Sequence, residues 1–218
     1  MSTESMQTEI EKALAWRYAT KRFDPTRKIP AKEWNVLENA LQMAPSSFGL
    51  QPWHFVVVTN AELRQQLQAA SWNQPQLVEA SHIVVLAAKT AVDEEYIDAF
   101  LQQTASERGV PVENLAAYRQ MIANFTTHLS AKGAVASWAT HQTYIALGML
   151  LETAALLGID ACPLEGIDSA KYDGLLGLPA AGYSTKVACA LGYRSASDAA
   201  ASLKKIRHPK EKVFSYRE

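Results

Sequence analysis

The run Ala44-Pro45-Ser46-Ser47-Phe48-Gly49-Leu50-Gln51-Pro52-Trp53-His54-Phe55-Val56-Val57-Val58 changes character at its midpoint. Its first six residues are loop chemistry, with a proline, two small hydroxyls and a glycine. From Trp53 to Thr59 the chain becomes aromatic and β-branched, the mark of a buried strand. Working outward, His82 to Ala88 reads as a second buried strand and Tyr183 to Tyr193 as a third, with a short extended piece from Ile159 to Pro163. Helical spacing is seen from Thr8 to Ala19 (Ile10, Ala13, Leu14, Trp16) and from Ala31 to Met43 (Trp34, Leu37, Leu41). Asn60 is placed to cap a helix through Ala70, because its side chain can accept from a free N–H of the first turn. Two or three mostly polar helices fit between Val92 and Thr127 as an outer excursion. A long helix from Val135 to Leu157 stops at Gly158, where glycine tolerates the left-handed turn. About four strands that do not alternate strictly with helices argue for an α+β fold over a doubly wound sheet.

Length and composition bound the rest. A chain of 218 residues suits one domain with a full core. With 48% apolar and 20% charged residues it has the mixture of an ordinary globular protein. Lys plus Arg number 21 against 22 Asp plus Glu, which gives no general attraction to nucleic acid or an anionic membrane. Cys162 and Cys189 form no CxxC and do not suggest a disulfide framework, so a reducing cytoplasm is expected. The N-terminal MSTESMQTEIEKAL lacks the apolar core of a secretory signal. The most hydrophobic stretch, Thr143 to Ile159, carries Glu152 and falls short of the roughly 18 uncharged residues of a membrane span. It reads as a core helix.

Familiar catalytic motifs are missing. No GxGxxG follows a strand, and neither GxxxxGK[ST] nor GxSxG occurs. The five histidines show no HExxH and no paired metal-ligand spacing, so no metal is expected. Chemistry carried by a bound cofactor is what remains.

Three segments stand out. Arg17-Tyr18-Ala19-Thr20-Lys21-Arg22-Phe23 has three cations within six residues. Pro163-Leu164-Glu165-Gly166 follows the long apolar helix, and Lys204-Lys205-Ile206-Arg207 lies near the C-terminus. Basic clusters at opposite chain ends leave two readings open: solvated surface charge, or a joint clamp on one phosphate. Each charge-assisted hydrogen bond to a phosphate contributes roughly 1.5–3 kcal/mol.

The runs WRYATKRFDP, APSSFGLQPWHFVVV, ACPLEGID and LKKIRHP, in that order and spacing, resemble the FMN-dependent nitroreductases. The likeness is to the branch of oxygen-insensitive NAD(P)H nitroreductases and dihydropteridine reductases, and it spans essentially the whole chain. It implies a mostly antiparallel central sheet flanked by helices in an intertwined homodimer, with two FMN sites in the subunit interface. It also implies NADH or NADPH as co-substrate and a nitroaromatic, quinone or pterin-like small molecule as acceptor. By this resemblance Arg17, Lys205 and Arg207 clamp the flavin phosphate. Tyr18, Ala19, Thr20 and Pro163 line the cofactor. Lys21 and Asn73 face its pyrimidine edge, and the Glu165 and Gly166 N–H groups face the reactive N5. Pro45, Ser46 and Ser47 arrive from the other subunit, and the tail from Leu203 packs on it as an arm. Lys21, Glu165 and Gly166 are the expected catalytic groups.

Four departures from the family pattern are visible. Gln76 stands where the family has lysine, Pro75 precedes it, Gly49 replaces an asparagine, and Ala123-Asn124 replaces an aromatic pair. A non-enzymatic flavin-binding or redox-sensing protein is the alternative from another class.

Overall fold

The computed structural model describes residues 3–217. Strands β1 (Trp53–Val58), β2 (His82–Lys89), β3 (Asp160–Leu164) and β4 (Tyr183–Gly192) form one sheet in the order β1-β2-β4-β3. Every neighbouring pair is antiparallel, and a lone parallel bridge joins Ala19 to Ala161 at the β3 edge. The helices are α1 (Thr3–Trp16), α2 (Ala31–Gln42), α3 (Ala61–Ala69), α4 (Gln76–Glu79), α5 (Glu94–Arg108), α6 (Ala116–Ala131), α7 (Val135–Leu156), α8 (Ser169–Leu176) and α9 (Lys210–Val213). The fold is α+β, as the sequence implied.

The apolar run of β2 is unbroken because both its faces are covered. Val84 and Leu86 join Leu37 and Leu41 of α2 and Leu147 and Leu150 of α7 on one side. Ile83 and Val85 join Leu67 of α3, Leu77 of α4 and Tyr172 of α8 on the other. The alternation follows the two-residue period of a strand. Burying each Leu or Ile of this kind contributes roughly 1.5–3 kcal/mol.

Local signals hold where they have a mechanism. The Asn60 side chain accepts from the Leu63 N–H, and Gly158, next to the Leu157 cap of α7, has φ 67°. The Val92–Thr127 stretch has a core of its own, in which Ile97, Leu101 and Ile122 pack with Leu50 and Val135. Trp138 of α7 is half-buried against this cluster and meets Phe125 edge-on, with ring centroids 5.7 Å apart.

The first helix differs from the expected Thr8–Ala19. It starts earlier, since Ala13 is its one buried residue and a largely exposed helix leaves little apolar periodicity. It also stops at Trp16, because the chain then leaves the helix to bridge β3 through Ala19. Among the described residues no helix is long and apolar enough to cross a membrane.

Candidate active site

The segment after α1 is fixed along the edge of the sheet. Ala19 bridges Ala161, Phe23 bridges Arg194, and the Thr20 N–H donates to the Ala161 carbonyl at 3.4 Å. Thr20 turns fully inward, where its hydroxyl donates to Asp160 Oδ1 at 3.3 Å. Thr20, which the resemblance sets along the cofactor, has its side chain in the core. Arg17, Tyr18 and Ala19 turn outward into a pocket of about 400 Å³ that Lys204, Lys205 and Arg207 also line. The two basic clusters meet there. Lys205 Nζ donates to the Leu14 carbonyl at the end of α1. Burial, and then the charges of Arg17 and Arg207, push the Lys205 ammonium below its usual range. Among the described residues Arg17, Lys204, Lys205 and Arg207 enter no ion pair. Uncompensated cations this close repel one another, and an anion among them relieves that cost.

Two carboxylates behind the pocket were not legible in the sequence. Asp160, 4% exposed, accepts from Arg194 N and Nε, each at 2.8 Å. The Arg194 guanidinium lies 4.2 Å from the Trp16 ring centroid and 4.6 Å from that of Tyr18. Asp198 accepts from the Tyr18 hydroxyl at 3.0 Å and from the Lys21 N–H at 2.8 Å. Burial first, and then the bond to Asp198, push the Tyr18 phenol up to about 12. No spacing rule joins positions so far apart in the chain, so only the tertiary structure reveals these pairs.

A second set of residues gathers at the C-terminal end of β3. Pro163 lies within the strand opposite Cys189, and Glu165-Gly166 follows it. The Gly166 carbonyl accepts from Gln74 Nε2 at 3.1 Å, and the Asp168 N–H donates to Ala70. Trp72 and Asn73 are both left-handed, with φ 53° and 56°. That conformation suits asparagine and strains tryptophan. The Trp72 ring lies so close to Gly166 that a Cβ there would stand 2.7 Å from its Cζ3. No protein carbonyl accepts from the Glu165 or Gly166 N–H among the described backbone. The Glu165 carboxylate accepts from the Tyr144 hydroxyl of α7. Lys21 and Gln76 both approach Cys162 of β3: the Lys21 charge opposes the upward push of burial on the thiol, and Gln76 Nε2 lies 3.9 Å from its sulfur. Gln76 is buried, and its Oε1 has no partner among the described residues.

The serine loop lies elsewhere. The Ser47 N–H donates to Gln142 Oε1 of α7 at 2.8 Å, and Ser46 Oγ accepts from the Gln51 N–H at 2.9 Å. Within one chain Pro45, Ser46 and Ser47 line neither the cationic pocket nor the Gly166 turn. Another concavity, of about 520 Å³, is lined chiefly by apolar groups such as Leu41, Trp53, Phe55 and Phe100. No cation lines it, in contrast to the smaller basic pocket.

Residues 14–193 match the model of the nitroreductase family. The chain belongs to that family. Its nitroreductase match takes in Arg17, Lys21, Asn73, Glu165 and Gly166, whereas Lys205 and Arg207 fall beyond it. A Staphylococcus epidermidis protein with the provisional name NAD(P)H nitroreductase is 39% identical over 200 residues, which is 87% of this chain and 90% of that one. The oxygen-insensitive NAD(P)H nitroreductase of Salmonella typhimurium is 34% identical over 204 residues, 89% and 93% of the two chains. Among solved structures, a nitroreductase-like protein of Streptococcus mutans superposes with a TM-score of 0.83 at 20% identity, covering 98% of this chain and all of the other. A nitroreductase-type protein of Exiguobacterium sibiricum, solved in complex with FMN, gives 0.78 at 22% identity, covering 96% of each chain.

Proposed function

We propose that this chain is an FMN-dependent oxidoreductase that takes reducing equivalents from NADH or NADPH. Its acceptor is a small molecule of the nitroaromatic, quinone or pterin-like class. The observation that carries the reading is the meeting of Arg17, Lys205 and Arg207, without carboxylate partners among the described residues, around one pocket. That set fits a phosphomonoester, which accepts several charged hydrogen bonds at once. The names of the Staphylococcus and Salmonella relatives support the nicotinamide, and the Exiguobacterium complex supports the flavin.

Arg17, Lys205 and Arg207 would hold the phosphate, with Tyr18 and Ala19 lining its cleft. Lys21 and Asn73 would hold the polar edge of the ring, the lysine stabilising negative charge there. The Glu165 and Gly166 N–H groups would donate to its reactive side. Bound FMN supplies hydride acceptance from the nicotinamide and two-electron delivery to the acceptor, chemistry that asks no side-chain nucleophile of the protein.

The working unit in this reading is a homodimer. One domain spans residues 1–218, with the 92–127 helices beside the active site and 203–218 as an arm. Leu203, Ile206, Phe214 and Tyr216 are exposed in the single chain, and a partner surface would cover them. Pro45, Ser46 and Ser47 would then reach the site of the other subunit. Cys162 and Cys189, both free and buried, fit a reducing cytoplasm.

Initial rates at varied NADPH and nitrofurazone test the scheme. Because both substrates use one site in turn, double-reciprocal plots should be parallel. Intersecting lines would overturn it.

A further inference from the structure

Asp198 lies between the two cation-bearing segments and pairs with none of their side-chain charges. Its Oδ2 accepts from the Tyr18 hydroxyl at 3.0 Å, the Lys21 N–H at 2.8 Å and the Arg22 N–H at 3.3 Å. Its Oδ1 accepts from the Ala200 N–H at 3.0 Å. The residue is 5% exposed. Burial pushes its carboxyl up, but the bonds from Lys21, Ala200, Arg22 and Tyr18 together outweigh burial and hold it below the usual carboxylate range. Tyr18, Lys21 and Arg22 belong to the N-terminal segment, and Ala200 lies in the short turn, Ala199–Ser202, that leads to Lys205 and Arg207.

A carboxylate among so many cations would ordinarily pair with one of them. Here Arg22 is taken by Glu79, with Nε 2.9 Å from Oε1, and Arg194 by Asp160. Asp198 receives only backbone N–H groups and a phenol among the described bonds. It therefore ties the two segments together without neutralising Arg17, Lys205 or Arg207. An uncharged amide cannot replace it: all four partners are donors, and an amide NH₂ would set a donor against a buried donor.

We infer that Asp198 is a positioning residue that joins the N-terminal and C-terminal halves of the phosphate clamp, an inference that rests on the FMN reading above. The grip on the phosphate depends on its carboxylate, although Asp198 itself does not face the ligand pocket.

The test compares FMN with riboflavin, which has the same ring and no phosphate. Each is titrated into the full chain, freed of flavin, while flavin fluorescence is followed. The unaltered protein should bind FMN the more tightly. Asp198→Asn should weaken FMN binding about 10- to 100-fold, the range of a lost charged hydrogen bond. Riboflavin binding should weaken clearly less, because of the ring-edge groups only Lys21 hangs from Asp198, by its backbone. Equal losses for both ligands would make Asp198 a general structural residue and overturn the inference. So would an unchanged preference for FMN. If the unaltered chain does not favour FMN over riboflavin, the phosphate reading itself fails, a result distinct from either. Should Asp198→Asn not fold, Tyr18→Phe removes one of the four donors and keeps the ring. A smaller loss confined to FMN is then expected, and an equal loss for both ligands again counts against the proposal.

Discussion

Arg17 and Arg207 come from opposite ends of the chain and line one pocket, and both their charges press on the Lys205 ammonium. Cations brought together without a counter-charge are a cost of folding unless a ligand offsets it. Arg207→Ala should therefore weaken FMN retention by about 2 kcal/mol, or roughly 30-fold. Flavin content after exhaustive dialysis measures this, and unchanged content would remove Arg207 from the clamp.

Gly166 is glycine because of Trp72. A Cβ at position 166 would lie 2.7 and 2.8 Å from two atoms of that ring. The ring is 81% exposed, so the clash is relieved at the surface, by the ring and the Gly166 turn moving apart, and leaves the core intact. Gly166→Ala is expected to lower kcat/KM by roughly 10- to 100-fold through misplacement of the turn, with little change in melting temperature. Trp72→Ala in the same chain should restore part of the loss. Independent, additive effects of the two substitutions would show that the ring does not set the turn.

Asp198 also makes stability depend on pH. Its folded value lies below the unfolded value of about 3.9, so its contribution is complete above that pH. The contribution is lost as pH falls through the folded value. The melting-temperature gap between the unaltered chain and Asp198→Asn should be widest near neutrality and close on acidification. A gap that stays constant from neutral pH to pH 3 or so would contradict this assignment.

The exposed tail gives a test of assembly. Tyr216 is 83% exposed and Phe214 56%, unusual for aromatic side chains in a finished structure. Truncation after His208 keeps Lys205 and Arg207 but removes this arm. Sedimentation should show the proposed dimer for the unaltered chain and its weakening in the truncated one. An undiminished dimer would place the subunit contact elsewhere.

Where the sequence could be read, one local rule decided. The continuous apolar run at His82–Ala88 marks the strand covered on both faces, and Asn60 and Gly158 mark helix ends by their own hydrogen-bonding and backbone geometry. The end of α1 was misread because Arg17 to Ala19 continue a helical pattern, and it is the bridge to Ala161 that draws them away. Thr20 is set along the cofactor by the resemblance alone, and no local pattern announces the bond to buried Asp160 that turns its side chain inward. Asp160, Asp198 and the Trp72–Gly166 contact had no signal at all. Each is a pairing across long sequence separation, and periodicity reports only on neighbours.

In the proposed function this protein binds FMN and passes electrons from a nicotinamide through it. The most direct test is the absorbance of the purified full chain near 450 nm, roughly the flavin band, without oxygen. The protein should be yellow, with a band that bleaches within seconds of NADPH or NADH addition and returns when nitrofurazone follows. A colourless protein that takes up no FMN, or a yellow one that neither nicotinamide bleaches, would contradict the proposed function.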